Sequence, residues 1–320
     1  MSEENRPLSE IEFSEIVDLW NWTYGRRFRI DEEIARINLG HESMLHEETL
    51  GIRSKRRLEG FIAFKEGYLG AEKTRLHITV LAFSNEEYGS QLIEHAFEVA
   101  RRQTREEVVF GQDLGHFLPG CPGEATEVLA LLRRFGFEER GEVFDLERTL
   151  HDYLRPSGLR EPQSGYAIRP CENEDVDALG EFLAAEFPGR WRLDVRRKHE
   201  AEGHPGFVIG LFEGGRCLGF AVTQDPTHRL PIGGAIWRAD LGKGWGALGP
   251  IGVAADLRGR GLGHTLLARS LEILRERSQR FGKGRCVIDW TTLDGFYGRH
   301  GFVISRSYRT FRAVTSMLPK

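Results

Sequence analysis

The sequence predicts a mixed α/β fold, a β-sheet with helices packed on its faces, present twice along the chain. Three observations carry this expectation. The 320 residues exceed the usual size of one domain. The apolar period switches repeatedly between that of a strand and that of a helix. The order of elements in the second half recurs, more faintly, in the first, and a cluster of turn-forming residues separates the halves.

In the first half, residues 1–150, the period predicts a helix over Ile11–Trp20 and strands over Thr49–Arg53 and Gly60–Phe64. Strand Leu76–Phe83, helix Glu86–Arg101, strand Glu107–Gly111, helix Ala125–Arg134 and strand Val143–Thr149 follow. Residues 151–164, with Pro156, Gly158, Pro162 and Gly165 close by, read as a linker. In the second half, residues 165–320, Tyr166–Arg169 reads as a short strand. Glu174–Glu186 has Val176, Leu179, Phe182 and Leu183 at helical spacing and stops before Pro188. Strands Phe207–Phe212 and Cys217–Thr223 form a hairpin across Gly214-Gly215. Trp245–Val253 is a glycine-interrupted strand, and Gly263–Arg277 is an amphipathic helix with Leu266, Leu267, Leu271 and Leu274 inward. Strand Arg285–Trp290, a short helix over Leu293–Arg299 and a closing hairpin over Phe302–Arg312 complete the order.

Composition narrows the function classes. With 40% hydrophobic and 29% charged residues, the chain has the make-up of a globular protein and is not disordered. No run approaches the 18 apolar residues of a membrane-spanning helix, and Met1–Glu10 is acidic and lacks a signal-peptide pattern. A cytoplasmic location, away from membranes, is the expectation. Cys121, Cys171, Cys217 and Cys286 are widely spaced and read as core residues or lone thiols. The net charge of −4 is unevenly shared: residues 1–150 carry 29 acidic against 19 basic groups, and residues 151–320 carry 19 against 25. A basic half suits a polyanionic ligand, but the excess is modest and no basic helix presents base-reading side chains. Nucleic acid is therefore not expected as a partner.

The sharpest feature is Arg258-Gly259-Arg260-Gly261-Leu262-Gly263, between a strand and a helix. Three glycines there leave backbone N–H groups open at the positive end of the helix dipole, a cradle for a pyrophosphate, and two arginines add charge. A tight strand–helix turn is the alternative; it accounts for one glycine more readily than for three. A dinucleotide-binding fingerprint fails because His264 stands at its third glycine, and a P-loop fails because Gly242-Lys243 is followed by Gly244. His41 and His46 lie five residues apart, roughly 140° around a helix, so they do not form a zinc pair. No metal is expected. The loop His116–Pro122 carries no assignment.

The run Val253–Gly263 resembles the acyl-CoA motif R/Q-x-x-G-x-G/A of the GNAT N-acetyltransferases. Phe296-Tyr297-Gly298-Arg299-His300-Gly301-Phe302 resembles the later F-Y-x-x-x-G-F signature of that family. The two occur in the family's order and spacing, across roughly residues 165–315. The resemblance implies two tandem GNAT-like domains of mycothiol-synthase-like architecture, the second carrying the motifs and using acetyl-CoA, or another short acyl-CoA, as co-substrate. It implies that the acyl-CoA lies in a V-shaped gap between strands Trp245–Val253 and Arg285–Trp290. Main-chain groups of Ile251, Gly252 and Val253 would pair with the pantetheine arm. Arg258, Gly259, Arg260, Gly261, Leu262, Gly263 and His264 would take the pyrophosphate.

The catalytic candidates follow from the chemistry of aminolysis. Expulsion of a thiolate needs an acid, and Tyr297 is the candidate; a core aromatic on an amphipathic helix is its alternative. Attack needs a neutral amine, and Asp289, a carboxylate amid Val287, Ile288 and Trp290, is the candidate base. A hydrogen-bonded loop anchor is an equal reading of Asp289. Many family members place Asn seven residues before the tyrosine, where Trp290 stands here. The first half places Ser84-Asn85-Glu86-Glu87-Tyr88-Gly89 where the glycine loop would be and Leu132 or Arg133 where the phenol would be. It therefore reads as a degenerate, non-catalytic copy. The expected acceptor is a small-molecule or peptide amine, attacked directly in a ternary complex, and a homodimer is a further expectation. A catalytically silent acyl-CoA-binding module is the alternative function.

Overall fold

The computed structural model describes residues 4–68, 74–159 and 165–317, so residues 160–164 of the expected linker lie outside the described residues. The chain forms two compact units, Met1–Val143 with Arg306–Lys320, and Phe144–Ser305. These differ from a division at residues 151–164: residues 144–150 join the second unit, and the C-terminal strand returns to the first.

In unit 1, β1 (Glu4–Arg6), β2 (Leu50–Ser54), β3 (Arg57–Glu66), β4 (Arg75–Phe83) and β5 (Glu107–Phe110) lie in sequence order across the sheet. All these pairings are antiparallel except β4 with β5. The helices are α1 (Phe13–Tyr24), α2 (Glu32–Leu39), α3 (Glu86–Arg102) and, after the two-residue β6 (Cys121–Pro122), α4 (Thr126–Arg134). Trp20 and Phe61 are completely buried, and the Tyr24 hydroxyl donates to the Leu81 carbonyl at 2.6 Å. The charged pattern of α2 hides its helical period, but Asp31 caps it by accepting from the Ile34 N–H at 2.8 Å.

Strand β7 (Glu138–Thr149) crosses into unit 2, whose sheet runs β7, β12 (Arg285–Thr291), β11 (Gly246–Val253), β10 (Arg216–Gln224), β9 (Val208–Glu213) and β8 (Tyr166–Pro170). Only β11 and β12 pair in parallel. Its helices are α5 (Val176–Glu186), α6 (Arg190–Glu202), the short α7 (Arg238–Leu241), α8 (Leu262–Ser278) and α9 (Asp294–Gly298). On α8, Leu266, Leu267, Leu271 and Leu274 are all fully buried, each stabilising by about 1.5–3 kcal/mol. That face anchors the helix on the sheet and fixes where its N-terminus opens.

The expected hairpin over Phe302–Arg312 is one continuous strand, β13 (Val303–Val314). No Gly, Pro, Asn or Asp interrupts that run, so nothing in it turns the chain. Its residues 311–314 pair with β5, completing unit 1. Among the described residues, no helix is long and apolar enough to cross a membrane.

Candidate active site

Strands β11 and β12 begin side by side and then part. Their parallel pairing covers only Gly246 with Cys286 and Ala247 with Val287. Beyond it, β11 continues against β10 as far as Val253, and β12 continues against β7 as far as Thr291. A bulge sharpens the divergence, since Gly249 and Pro250 of β11 oppose the single residue Val222 of β10. The inner edge of β11 at Ile251, Gly252 and Val253 is thereby left without a strand partner and half-buried. A cleft of about 690 Å³ opens there, lined among others by these three residues, Arg258, Gly259, Gly261, Gly263, His264, Phe296 and Tyr297. Of the residues expected at the cofactor, Arg260 and Leu262 are not among those lining the cleft.

At one end of the cleft, α8 starts without a side-chain cap. Its N-cap is Gly261, at φ +85°, and Gly259 is also left-handed at φ +76°. Turn geometry thus accounts for two of the three glycines. The first N–H groups of α8 have no side-chain oxygen against them, and an anion would satisfy them. Unit 1 is built differently at the matching place. There Asn85 caps α3, its side chain accepting from Glu87 N–H at 3.0 Å and Tyr88 N–H at 3.2 Å. In that unit the segment after β5 also folds back on β4. Gly111 N–H donates to the Ile78 carbonyl at 2.9 Å, and Asp113 accepts from Thr79 and pairs with the buried Lys65 at 2.7 Å. The unassigned loop packs inward, with Phe117 5.0 Å from the Trp20 ring.

Tyr297 also lines this cleft, only 6% exposed, against Phe296 at 4.9 Å and Phe302 at 6.2 Å. Burial, and then the nearby Asp289 carboxylate, push its phenol well above the ordinary value, so it is protonated at neutral pH. Its hydroxyl makes no hydrogen bond to a described residue. Tyr297 also borders a second, smaller chamber of about 220 Å³, which it shares with Asp289, Trp290, Arg190, Trp191, Asp194 and Gly233. Gly233 makes room for the carboxylate, because a Cβ there would lie 2.7 Å from Asp289 Oδ1.

Trp290, where the family pattern has Asn, turns out of the strand at φ +45°, a conformation costly for a bulky residue. The buried Asp145 holds it there, accepting from Trp290 N–H at 3.2 Å and from Trp237 Nε1 at 3.0 Å. The Trp290 ring lines the smaller chamber and carries the Arg190 guanidinium at 4.2 Å. Arg190 in turn pairs with Asp194 at 3.3 Å.

Sequence reasoning missed Phe187, which closes α5, and also Trp191, Arg190 and Asp194 on α6, which has too few apolar residues to show a helical period. The signal of α6 was the run of strong helix formers ending at Gly203, which is left-handed at φ +77° and closes the helix. Phe187 lies directly on Gly252, where a Cβ would meet its ring at 2.4 Å.

A parted pair of parallel strands, an uncapped glycine turn at a helix start and a buried phenol thus lie along one cleft. Residues 176–302 match the model of the Acetyltransferase (GNAT) family. The chain is 30% identical over 180 residues to the mycothiol acetyltransferase of Acidothermus cellulolyticus, covering 53% of this chain and 54% of that one. The chain thus spans about half the length of that curated relative. Among solved structures, it resembles the GCN5-related glucosamine N-acetyltransferase region of a fungal multi-domain GH3 β-N-acetylglucosaminidase. That similarity has a TM-score of 0.86 and 21% identity, over 98% of this chain and 38% of that one. A tandem GNAT protein from the clavulanic acid biosynthesis pathway matches with a TM-score of 0.71 and 14% identity, over 98% and 99% of the two chains. The fold is that of the tandem GNAT proteins.

Proposed function

We propose that the protein transfers an acetyl group from acetyl-CoA to a primary amine by direct attack in a ternary complex, at the cleft of unit 2. One observation carries this reading. A single cleft joins the open edge of β11, the uncapped start of α8 and Tyr297. Acetyl-CoA, when bound, supplies an activated thioester. The N–H groups at the start of α8 hold its pyrophosphate, and Arg258 and Arg299 add positive charge. The open main-chain groups of Ile251–Val253 pair with its pantetheine arm as a neighbouring strand would. The smaller chamber takes the acceptor, and Trp191, Ile251, Leu293 and Tyr297 border both spaces.

Asp289 accepts the proton that the ammonium of the acceptor must lose before it attacks. Tyr297 gives its proton to the departing thiolate, for which a neutral phenol is required. Phe187, Trp191 and Phe296 keep water from the thioester. Unit 1 holds no acyl-CoA in this reading: Asn85 already occupies the donors at its helix start, and Glu86 and Glu87 would repel a pyrophosphate. The test is release of free CoA from acetyl-CoA across a panel of amines, including amino sugars, polyamines, amino acids and peptides. Turnover with one class supports the reading. Acetyl-CoA binding with no amine turned over would make the protein a binding module.

A further inference from the structure

A row of hydrogen-bonded groups runs from the core of unit 2 to the wall of the cleft, ending on the third residue of α8. Tyr153 is fully buried, and its hydroxyl lies 3.1 Å from Nδ1 of His300, itself 1% exposed. His300 Nε2 lies 3.1 Å from Nδ1 of His264. The His264 ring stacks on Phe296 at 4.4 Å and 27°, and His264 lines the cleft beside Gly261 and Gly263. No step of the transfer uses these three groups.

Their protons can be placed by elimination. A buried phenol needs an acceptor, and among the described residues the Tyr153 hydroxyl bonds only to His300 Nδ1. The hydroxyl therefore donates, and His300 Nδ1 is the unprotonated nitrogen. A neutral imidazole carries its one proton on the other nitrogen, so His300 Nε2–H donates to His264 Nδ1. By the same rule the His264 proton sits on Nε2, which has no partner among the described residues. Burial, then His264, Arg148 and Arg155, hold His300 down to about 4, and burial and Arg299 also lower His264. Both rings are neutral at pH 7, and the assignment is consistent along the row.

We propose that Tyr153 and His300 fix His264, already expected at the pyrophosphate, in place and in tautomer, so that its Nε2–H is the donor held for the diphosphate. The donor supplements the backbone N–H groups at the start of α8, and it supplies recognition without adding a charge that must be desolvated. The inference rests on the acyl-CoA reading of the cleft. Tyr153 and His300 are positioning residues in this scheme, since neither lines the cleft.

The test uses the full chain with two probes, CoA and pantetheine, the latter lacking the diphosphate. His264→Phe keeps the ring stacked on Phe296 and removes the donor; CoA should then bind about 10- to 100-fold more weakly, while pantetheine is unchanged. His264→Gln, which returns an N–H near the Nε2 position, should recover most of that loss. Nitrogen-15 histidine spectra of the unaltered protein supply a readout independent of any variant. They should show His264 protonated at Nε2 alone, with that resonance moving when CoA is added. Equal CoA affinity in His264→Phe, or a proton on His264 Nδ1, overturns the proposal and leaves the acyl-CoA reading standing. No CoA binding by the unaltered protein overturns both.

Discussion

Replacing Tyr297 by Phe isolates one proton from everything else the residue does. The ring is 6% exposed and packs in the core formed with Leu267, Leu271, Ile288 and Phe302. Phe keeps that volume and the ring contacts to Phe296 and Phe302. The hydroxyl makes no hydrogen bond to a described residue, so its removal forfeits no intraprotein bond. Stability should stay within about 0.5 kcal/mol, the range of a change that touches no packing or paired group. Truncation to Ala would instead cost about 3–5 kcal/mol as a large buried ring. If the phenol protonates the thiolate, kcat in Tyr297→Phe should fall by roughly 10²–10⁴-fold, the usual worth of a general acid, or about 3–5 kcal/mol of barrier. The measurements are CoA release with a competent amine, calorimetry for acetyl-CoA affinity and a melting curve. A large loss of kcat with unchanged affinity and melting temperature is the expected pattern. Near-normal kcat would refute the acid role and return Tyr297 to the core.

Three further outcomes are expected. Gly261→Glu should abolish CoA binding by placing a carboxylate at the anion cradle, and should cost about 1–2 kcal/mol of stability because φ there is +85°; calorimetry on the unaltered chain should give one CoA, and two equivalent sites would contradict the contrast between Gly261 and the Asn85 cap. Gly233→Ala should displace the Asp289 carboxylate and lower kcat by up to about 10²-fold while acetyl-CoA affinity holds, since Gly233 borders only the smaller chamber. Stability should fall on acidification between pH 6.5 and 5. His300 titrates near its ordinary value of about 6.5 when unfolded but is held at about 4 when folded, so its contribution is complete above 6.5 and is lost as pH drops towards 4. The slope from this one group is at most about 1.4 kcal/mol per pH unit, and His300→Gln should show a shallower decline than the unaltered protein.

Residues 258–263 and 296–302 pointed to the cleft because they are local. A glycine turn and a short helix bring their groups together within a few residues, so adjacency in sequence is adjacency in space. The inner face of α8 was legible for the same reason, through the spacing of Leu266, Leu267, Leu271 and Leu274. Other parts depend on distant segments meeting. Asp289 is one carboxylate in an apolar strand until Gly233, some 56 residues earlier, leaves it room in the chamber that Tyr297 also borders. Trp290 looked like a missing Asn; its left-handed turn is set by Asp145 on β7, about 145 residues away. His264 gains a defined tautomer only because His300 and Tyr153 line up behind it. The row draws on the start of α8, the turn after α9 and the segment after β7, and no spacing rule links those three stretches. The division of the chain was hidden likewise. Residues 144–149 and 306–314 each read as the plain edge of a half, and a strand takes its partner from backbone pairing, which any extended stretch can offer. Local hydrogen bonding and periodicity thus wrote the elements and the cradle into the sequence, while partner choice between strands and the company of each buried polar group were decided only in the folded chain.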